Sequence, residues 1–331
     1  MQIPENALEF NEQFGSESAC LDFLAQLRWP QGFVCPNCNH DDGYYLTSRP
    51  LIQCSLCGHQ TSITAGTLFH KTRTPLRIWF YIFYQMTEDK AGTSSTRLAS
   101  QLGMHQTTVW HLMHKIRHAM GRRDETIKLA GFVEMDEAIL GPYARRPAGP
   151  RKKDTKNDSK ISESVAGKKP KQRGRGRPKK IGTNEKTQTP VLILVEQEPS
   201  HAGFIAMKTV DSLSRQDILE FVERRVDKFQ HIKTDGWLSH HVLRTFDCTY
   251  EAVVCSGPDG CIELPVVHRA IMLLKTGLMG TYFGVAAKYL QSYLQEYAFR
   301  FNRRDTKHPI WFSLVRACVF ALPFTYAELR L

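Results

Sequence analysis

The chain has 331 residues, of which 42% are hydrophobic, with 44 Lys/Arg against 33 Asp/Glu. That length holds two or more domains with ample core. No N-terminal apolar signal run and no apolar run long enough to span a bilayer is present, which argues against an exported or membrane-embedded class and predicts a protein of the cytoplasm or nucleoid with no membrane partner. The net charge of +11 belongs to one segment: residues 145–180 carry 15 Lys/Arg and 3 Asp/Glu, leaving 29 against 30 elsewhere. Such a block predicts contact with a polyanion, against the plainer alternative of a solvated loop.

Residues 1–30 read as a helical lead-in, with Phe10, Phe14, Cys20, Leu21, Phe23, Leu24 and Leu27 as an apolar stripe ended by Trp29-Pro30. Residues 31–70 follow with Cys35-Pro36-Asn37-Cys38 and Cys54-Ser55-Leu56-Cys57, and 15 residues lie between Cys38 and Cys54. Two C-x-x-C knuckles at this spacing turn four thiolates onto one ion. The closed set of four thiolates leaves no open position, so Cys35, Cys38, Cys54 and Cys57 predict a structural zinc ribbon. A pair of redox motifs would need a thioredoxin-like βαβ context that is missing. His40 and His59 are bystanders, and the remaining cysteines are ordinary thiols.

Residues 71–125 read as helices. Pro75 opens the first; Ser94 to Gln101 makes a short second; Leu102-Gly103 turns; and Gln106-Thr107-Thr108 starts a longer third with Val109, Leu112 or Met113, Ile116 and Met120 inward. This is a helix-turn-helix-like pattern. Gln106, Thr107 and Thr108 suit base edges, while Lys115, Arg117, Arg122 and Arg123 suit phosphates. The alternative is a plain helical bundle with a basic rim.

The segment Phe132 to Leu140 reads as a strand that puts Asp136 and Glu137 at its tip. The basic stretch 143–189, poor in large apolar residues, predicts a disordered insertion. Within it, Arg175-Gly176-Arg177-Pro178 resembles the core of an AT-hook, placing Arg175 and Arg177 in a narrow minor groove, against the plainer reading of sequence-independent contact with the phosphate backbone. Further strands are expected at Val191–Val195, Gly203–Val210, Ile232–Thr234 and Tyr250–Val254, and helices at Ser214–Lys228, Ser239–Thr245 and Leu264–Leu278. The order is three strands, helix, strand, helix, strand, helix, which is that of an α/β RNase H-like domain over residues 128–331 with a C-terminal helical extension. In that fold the first and fourth strands are neighbours, so Asp136 and Asp235 should meet, as a divalent-metal phosphoryl-transfer site requires. The third group should come from the helix after the fifth strand, where His268 and Lys275 share a face. Glu296 on the long helix Val285–Arg304 is the reserve.

Together the two cysteine pairs, Thr61 to Phe69, Glu134-Met135-Asp136-Glu137, Thr234-Asp235-Gly236-Trp237, His268-Arg269, Lys275, Leu278 to Tyr282 and Tyr297 to Arg304 resemble the DDE-superfamily insertion-sequence transposases that carry an N-terminal zinc ribbon. The resemblance implies a metal-bound acidic triad that cuts and joins DNA. Asp136 and Asp235 match its first two positions. The third is usually Glu or Asn, seven residues before a Lys, and here that count gives His268. The implied cofactors are structural Zn²⁺ and catalytic Mg²⁺ or Mn²⁺. The implied partners are double-stranded DNA (terminal inverted repeats and target) and at least one further copy of the chain. The competing expectation, favoured by the histidine, is a catalytically inactive zinc-ribbon regulator on a nuclease-like scaffold.

Overall fold

The computed structural model describes residues 3–46, 49–141, 188–253 and 263–330. Residues 143–187 of the basic insertion, including Arg175 and Arg177, lie outside them. Two capped helices open the chain. Asn6 caps α1 (Ala7–Gln13) and Ser16 caps α2 (Glu17–Arg28), each accepting from first-turn amides. An antiparallel ribbon follows: β1 (Gly43–Tyr45), β2 (Leu51–Cys54) and β3 (Gln60–Ser62). Three helices come next. Pro75 precedes α3 (Leu76–Glu88), and Ser94 caps α4 (Ser95–Leu102). Gly103, at φ 61°, ends α4 in the left-handed region and turns the chain into α5 (Gln106–Asp124).

The second half is built on a mixed five-stranded sheet. β4 (Phe132–Leu140), β5 (Thr189–Gln197) and β6 (Ala202–Thr209) form an antiparallel meander. After α6 (Arg215–Arg225), β7 (His231–Thr234) returns parallel to β4. A 3₁₀ segment (Leu238–Thr245) then leads to β8 (Thr249–Ala252), parallel to β7. The sheet order is β6-β5-β4-β7-β8. Helices α7 (Pro265–Tyr282), α8 (Ala287–Phe301), α9 (Ile310–Phe320) and α10 (Tyr326–Arg330) complete the chain. The expected short helix at 239–245 is thus a 3₁₀ segment, and β3 and α10 had no sequence signal.

Both sheet faces are covered. Ala138, Leu140, Val191, Ile193 and Val195 pack under α7 and α8, whereas Val133, Met135, Leu192 and Leu194 pack under α6 and the 3₁₀ segment. The alternation follows from the two-residue period of a strand. A third core joins the two ends of the chain: Trp311 of α9 lies among Phe10, Phe14 and Phe23, with ring centroids 5.1, 5.6 and 5.9 Å away. Helix α9 therefore completes the N-terminal helical core. No single helix among the described residues is long and apolar enough to cross a membrane.

Candidate metal-binding carboxylate site

The site is set by where β7 stops. β4 pairs with β5 along all nine residues, but its parallel ladder with β7 covers only Phe132 to Glu134. Asp136 is therefore mid-strand on one side and just past a strand end on the other. It is not at the tip of its own strand, as the sequence suggested. Asp235 follows the last residue of β7 and comes into the resulting notch. Oxygens of Asp136, Glu137 and Asp235 lie within 4.8 Å of one another.

Neighbouring strand residues face opposite ways, and each of the two on β4 has its own histidine. Asp136 faces α7, where its Oδ2 is 3.1 Å from His268 Nε2. Glu137 faces the 3₁₀ segment, where its Oε2 is 3.2 Å from His240 Nε2. The other ring nitrogen of His240, Nδ1, is 3.0 Å from Asp235 Oδ1. His240 thus links two of the three carboxylates, and it is fully buried.

The electrostatics follow from this crowding. Burial, with Glu137 and Asp235 close by, pushes the Asp136 pKa up to about 6, despite the Glu137 amide and His268. The hydrogen bond from His240 holds Asp235 below its ordinary value. For His240, burial opposes the charge, but Asp235 and Glu137 outweigh it and push the pKa up to about 9. Three carboxylates, two of them sharing one imidazolium, form a hard-oxygen donor set that suits a divalent cation.

One buried carboxylate supports the site from behind. Glu134 shares the α7-facing side of β4 with Asp136, and its Oε2 accepts the amides of Val266 and Val267, at 2.9 and 2.8 Å. No side chain of the N-cap residue Leu264 caps α7, so Glu134 satisfies its first turn. His268 is the next residue along. Sequence reasoning named Glu134 only within a motif, Glu137 only beside Asp136 at the expected strand tip, and His240 not at all. Its signal was the five-residue spacing from Asp235.

Lys275 lies two helical turns beyond His268, about 10 Å along α7. It is half-buried and has no hydrogen bond or ion pair among the described residues. Glu296 is elsewhere: it is sealed between α8 and α5 with its Oε2 on Arg117 Nε at 2.6 Å. It is an internal counter-ion, which corrects its place as reserve for the third position.

The four ribbon thiols also meet. Cys35 and Cys57 Sγ are 3.6 Å apart, as are Cys38 and Cys54, and all four lie within 4.8 Å of one another. Thiolates about 2.3 Å from a tetrahedral zinc would be about 3.8 Å apart, so the donor set fits zinc. His40 is turned to Ser55 Oγ at 3.0 Å.

Two family models match the chain, one over each of these regions. The transposase zinc-ribbon domain model matches residues 15–60, and the ISXO2-like transposase domain model matches residues 128–302. The chain belongs to the ISXO2-like transposase family. It is also similar to the uncharacterized protein in transposable element ISH50 of Halobacterium salinarum, at 24% identity over 303 residues, covering 89% of this chain and 94% of that one. Among solved structures it is similar to the Mos1 transposase paired-end complex with left transposon end, at 12% identity and a TM-score of 0.29, over 72% of this chain and 75% of that chain. A second is the Mos1 mariner paired end complex with Mn, at 14% and 0.26, over 76% and 90%.

In this family member α5 presents His105, Gln106, Thr107 and Thr108 to solvent. Gln106 Nε2 donates to Ser95 Oγ at 2.7 Å, tying the start of α5 to α4. Lys115 is half-buried and Arg122 and Arg123 are exposed, but Arg117 is 1% exposed. Arg117 is therefore no phosphate contact. It serves as the counter-ion of Glu296.

Proposed function

We propose that the chain is a metal-dependent DNA transposase that nicks the ends of its insertion sequence and joins each 3′-hydroxyl to target DNA. The observation that carries this is the convergence of Asp136 and Asp235 at the notch between β4 and β7, under a helix that delivers His268. The sheet order, with the acidic residues on neighbouring parallel strands, supports an RNase H-like catalytic domain over 128–331. The ribbon at 31–70 and the helices at 71–125 serve DNA recognition.

Asp136 and Asp235 would hold a divalent cation, Mg²⁺ or Mn²⁺, with His268 or Glu137 completing the set. Such a cation supplies Lewis acidity at the phosphoryl oxygens and lowers the pKa of an attacking hydroxyl or water. The chain supplies position. Glu134 fixes the start of α7 and therefore the His268 ring. His240 orients Asp235 by taking one of its oxygens. Lys275, unpaired on the same face of α7, balances phosphate charge near the scissile bond. Gln106, Thr107 and Thr108 address base edges, with Lys115, Arg175 and Arg177 on the DNA backbone. Joining two ends to one target calls for at least two copies of the chain.

One observation favours a second reading. His240 as an imidazolium already bridges Asp235 and Glu137, so the cluster has a counter-ion of its own, as an inactive DNA-binding regulator would. Supercoiled-plasmid nicking with Mn²⁺ or Mg²⁺ separates the two. The transposase reading predicts nicked circles from the parent protein and none from Asp136→Ala or Asp235→Ala. No nicking by the folded, zinc-loaded parent would favour the regulator, and nicking by Asp136→Ala would remove the site assignment.

A further inference from the structure

A cleft of about 650 Å³ opens between the C-terminal half of α5, α9 and the segment before α10. Four arginines line it, Arg122, Arg123, Arg303 and Arg316, against a single carboxylate, Glu328. Two of the four are already engaged: Arg122 pairs with Glu125 at 3.1 Å and Arg303 with Asp124 at 2.7 Å. Arg123 and Arg316 are exposed and have no side-chain hydrogen bond or ion pair among the described residues. Outside residues 145–180 the chain carries 29 Lys/Arg against 30 Asp/Glu, so this concentration of cations is not a sample of a generally basic surface. The hydroxyl-bearing Ser313 and Thr126 and the exposed Phe320 add polar and apolar contact.

We infer that this cleft holds the phosphate backbone of DNA flanking the stretch read by the start of α5. The inference rests on DNA being the substrate, as proposed above. Arginine forks match phosphate oxygens and bind without reading sequence. Arg122 lies sixteen residues after Gln106, which is about 24 Å along the helix. The two ends of α5 therefore address separate parts of a duplex, the first its bases and the second only its backbone.

The test is duplex binding by the full-length, zinc-loaded protein across a salt series, using a DNA of about 40 base pairs, long enough to pass both ends of α5. Arg123→Ala with Arg316→Ala should weaken binding on the order of 10-fold and lower the log–log salt slope by about 2, one per lost phosphate contact. Both side chains are exposed, so the thermal melt should match the parent, and Arg123→Lys with Arg316→Lys should restore much of the slope. A control pair outside the cleft lining, the exposed Arg215→Ala with Arg244→Ala, removes the same charge and should leave the slope nearly unchanged. Parent-like binding by the cleft pair, or an equal loss in the control pair, would overturn the inference. So would a free mononucleotide that displaces the duplex from the parent but not from the cleft variant, because it would mark a small-molecule phosphate site. Failure of the parent to bind any duplex would overturn both this inference and the DNA reading beneath it.

Discussion

Arg117 Nε lies 2.6 Å from Glu296 Oε2, and neither side chain has more than 2% of its surface exposed. The pair bolts α5 to α8, so the helix that carries Gln106 is fixed to the half of the chain built on the five-stranded sheet. The guanidinium also lies over the Tyr293 ring, 4.0 Å from its centroid, and Tyr282 Oη is 3.3 Å from Glu296 Oε1. Removing one partner would strand a buried charge. Glu296→Ala should therefore destabilise the protein by about 3–5 kcal/mol in chemical denaturation. At a temperature where it remains folded, Mn²⁺ affinity should be unchanged. A loss of metal affinity without a loss of stability would return Glu296 to the catalytic site.

Glu134 should matter through α7. Glu134→Gln keeps an acceptor for the Val266 and Val267 amides, whereas Glu134→Ala leaves them without one. We expect the alanine variant to lose about 1–2 kcal/mol. Its nicking rate should fall on the order of 10- to 100-fold as His268 loses its footing. The glutamine variant should retain most of both. Equal nicking by all three proteins would show that α7 does not depend on this anchor.

Zinc removal should act locally at first. The four thiols form a closed set, and Ile52 and Ile63 carry the ribbon onto the helical core, helped by Arg28 Nη1 donating to the Ile63 carbonyl at 2.7 Å. A strong chelator should release one tightly held zinc per chain. Amide-exchange protection should then fall over residues 31–70, while β4 and β5 stay protected. Loss of protection in the central strands at the same rate would mean that the ribbon is no separate unit.

His240 should impose a pH dependence on the metal-free protein. Its pKa is raised from 6.5 to about 9. A raised value means that the stabilisation is fully present below the unfolded value and is lost as pH rises through the folded one. The melting temperature of metal-free protein should therefore fall between about pH 7 and pH 9.5, within the window that linkage defines. His240→Asn should flatten that fall. An undiminished fall in the variant would assign it to other groups.

Much of this was legible because it is local. Four cysteines at ribbon spacing, Ser94 before a helix and Gly103 after it, and two acidic residues near strand ends all announce themselves within a few positions. What the sequence hid is long-range. Trp311 finds Phe10 across the whole chain, and no pattern within α9 says so. His240 reaches Glu137 only because a 3₁₀ segment folds back over the end of β7. Arg117 was misread although a signal existed: it falls four residues after Met113 and three before Met120, on the buried face of α5. A charge on that face asks for an internal partner, and Glu296 supplies it. Lys275 and His268 share a face as expected from their spacing, but the spacing could not show that Glu137, rather than His268, joins the two aspartates within 4.8 Å.

Calorimetric titration of Mn²⁺ into the zinc-loaded protein tests the centre of this account most directly. The parent should bind manganese beyond its one structural zinc, and Asp136→Asn and Asp235→Asn should each abolish that binding while melting like the parent. Titration curves for either variant that overlay the parent's would contradict it.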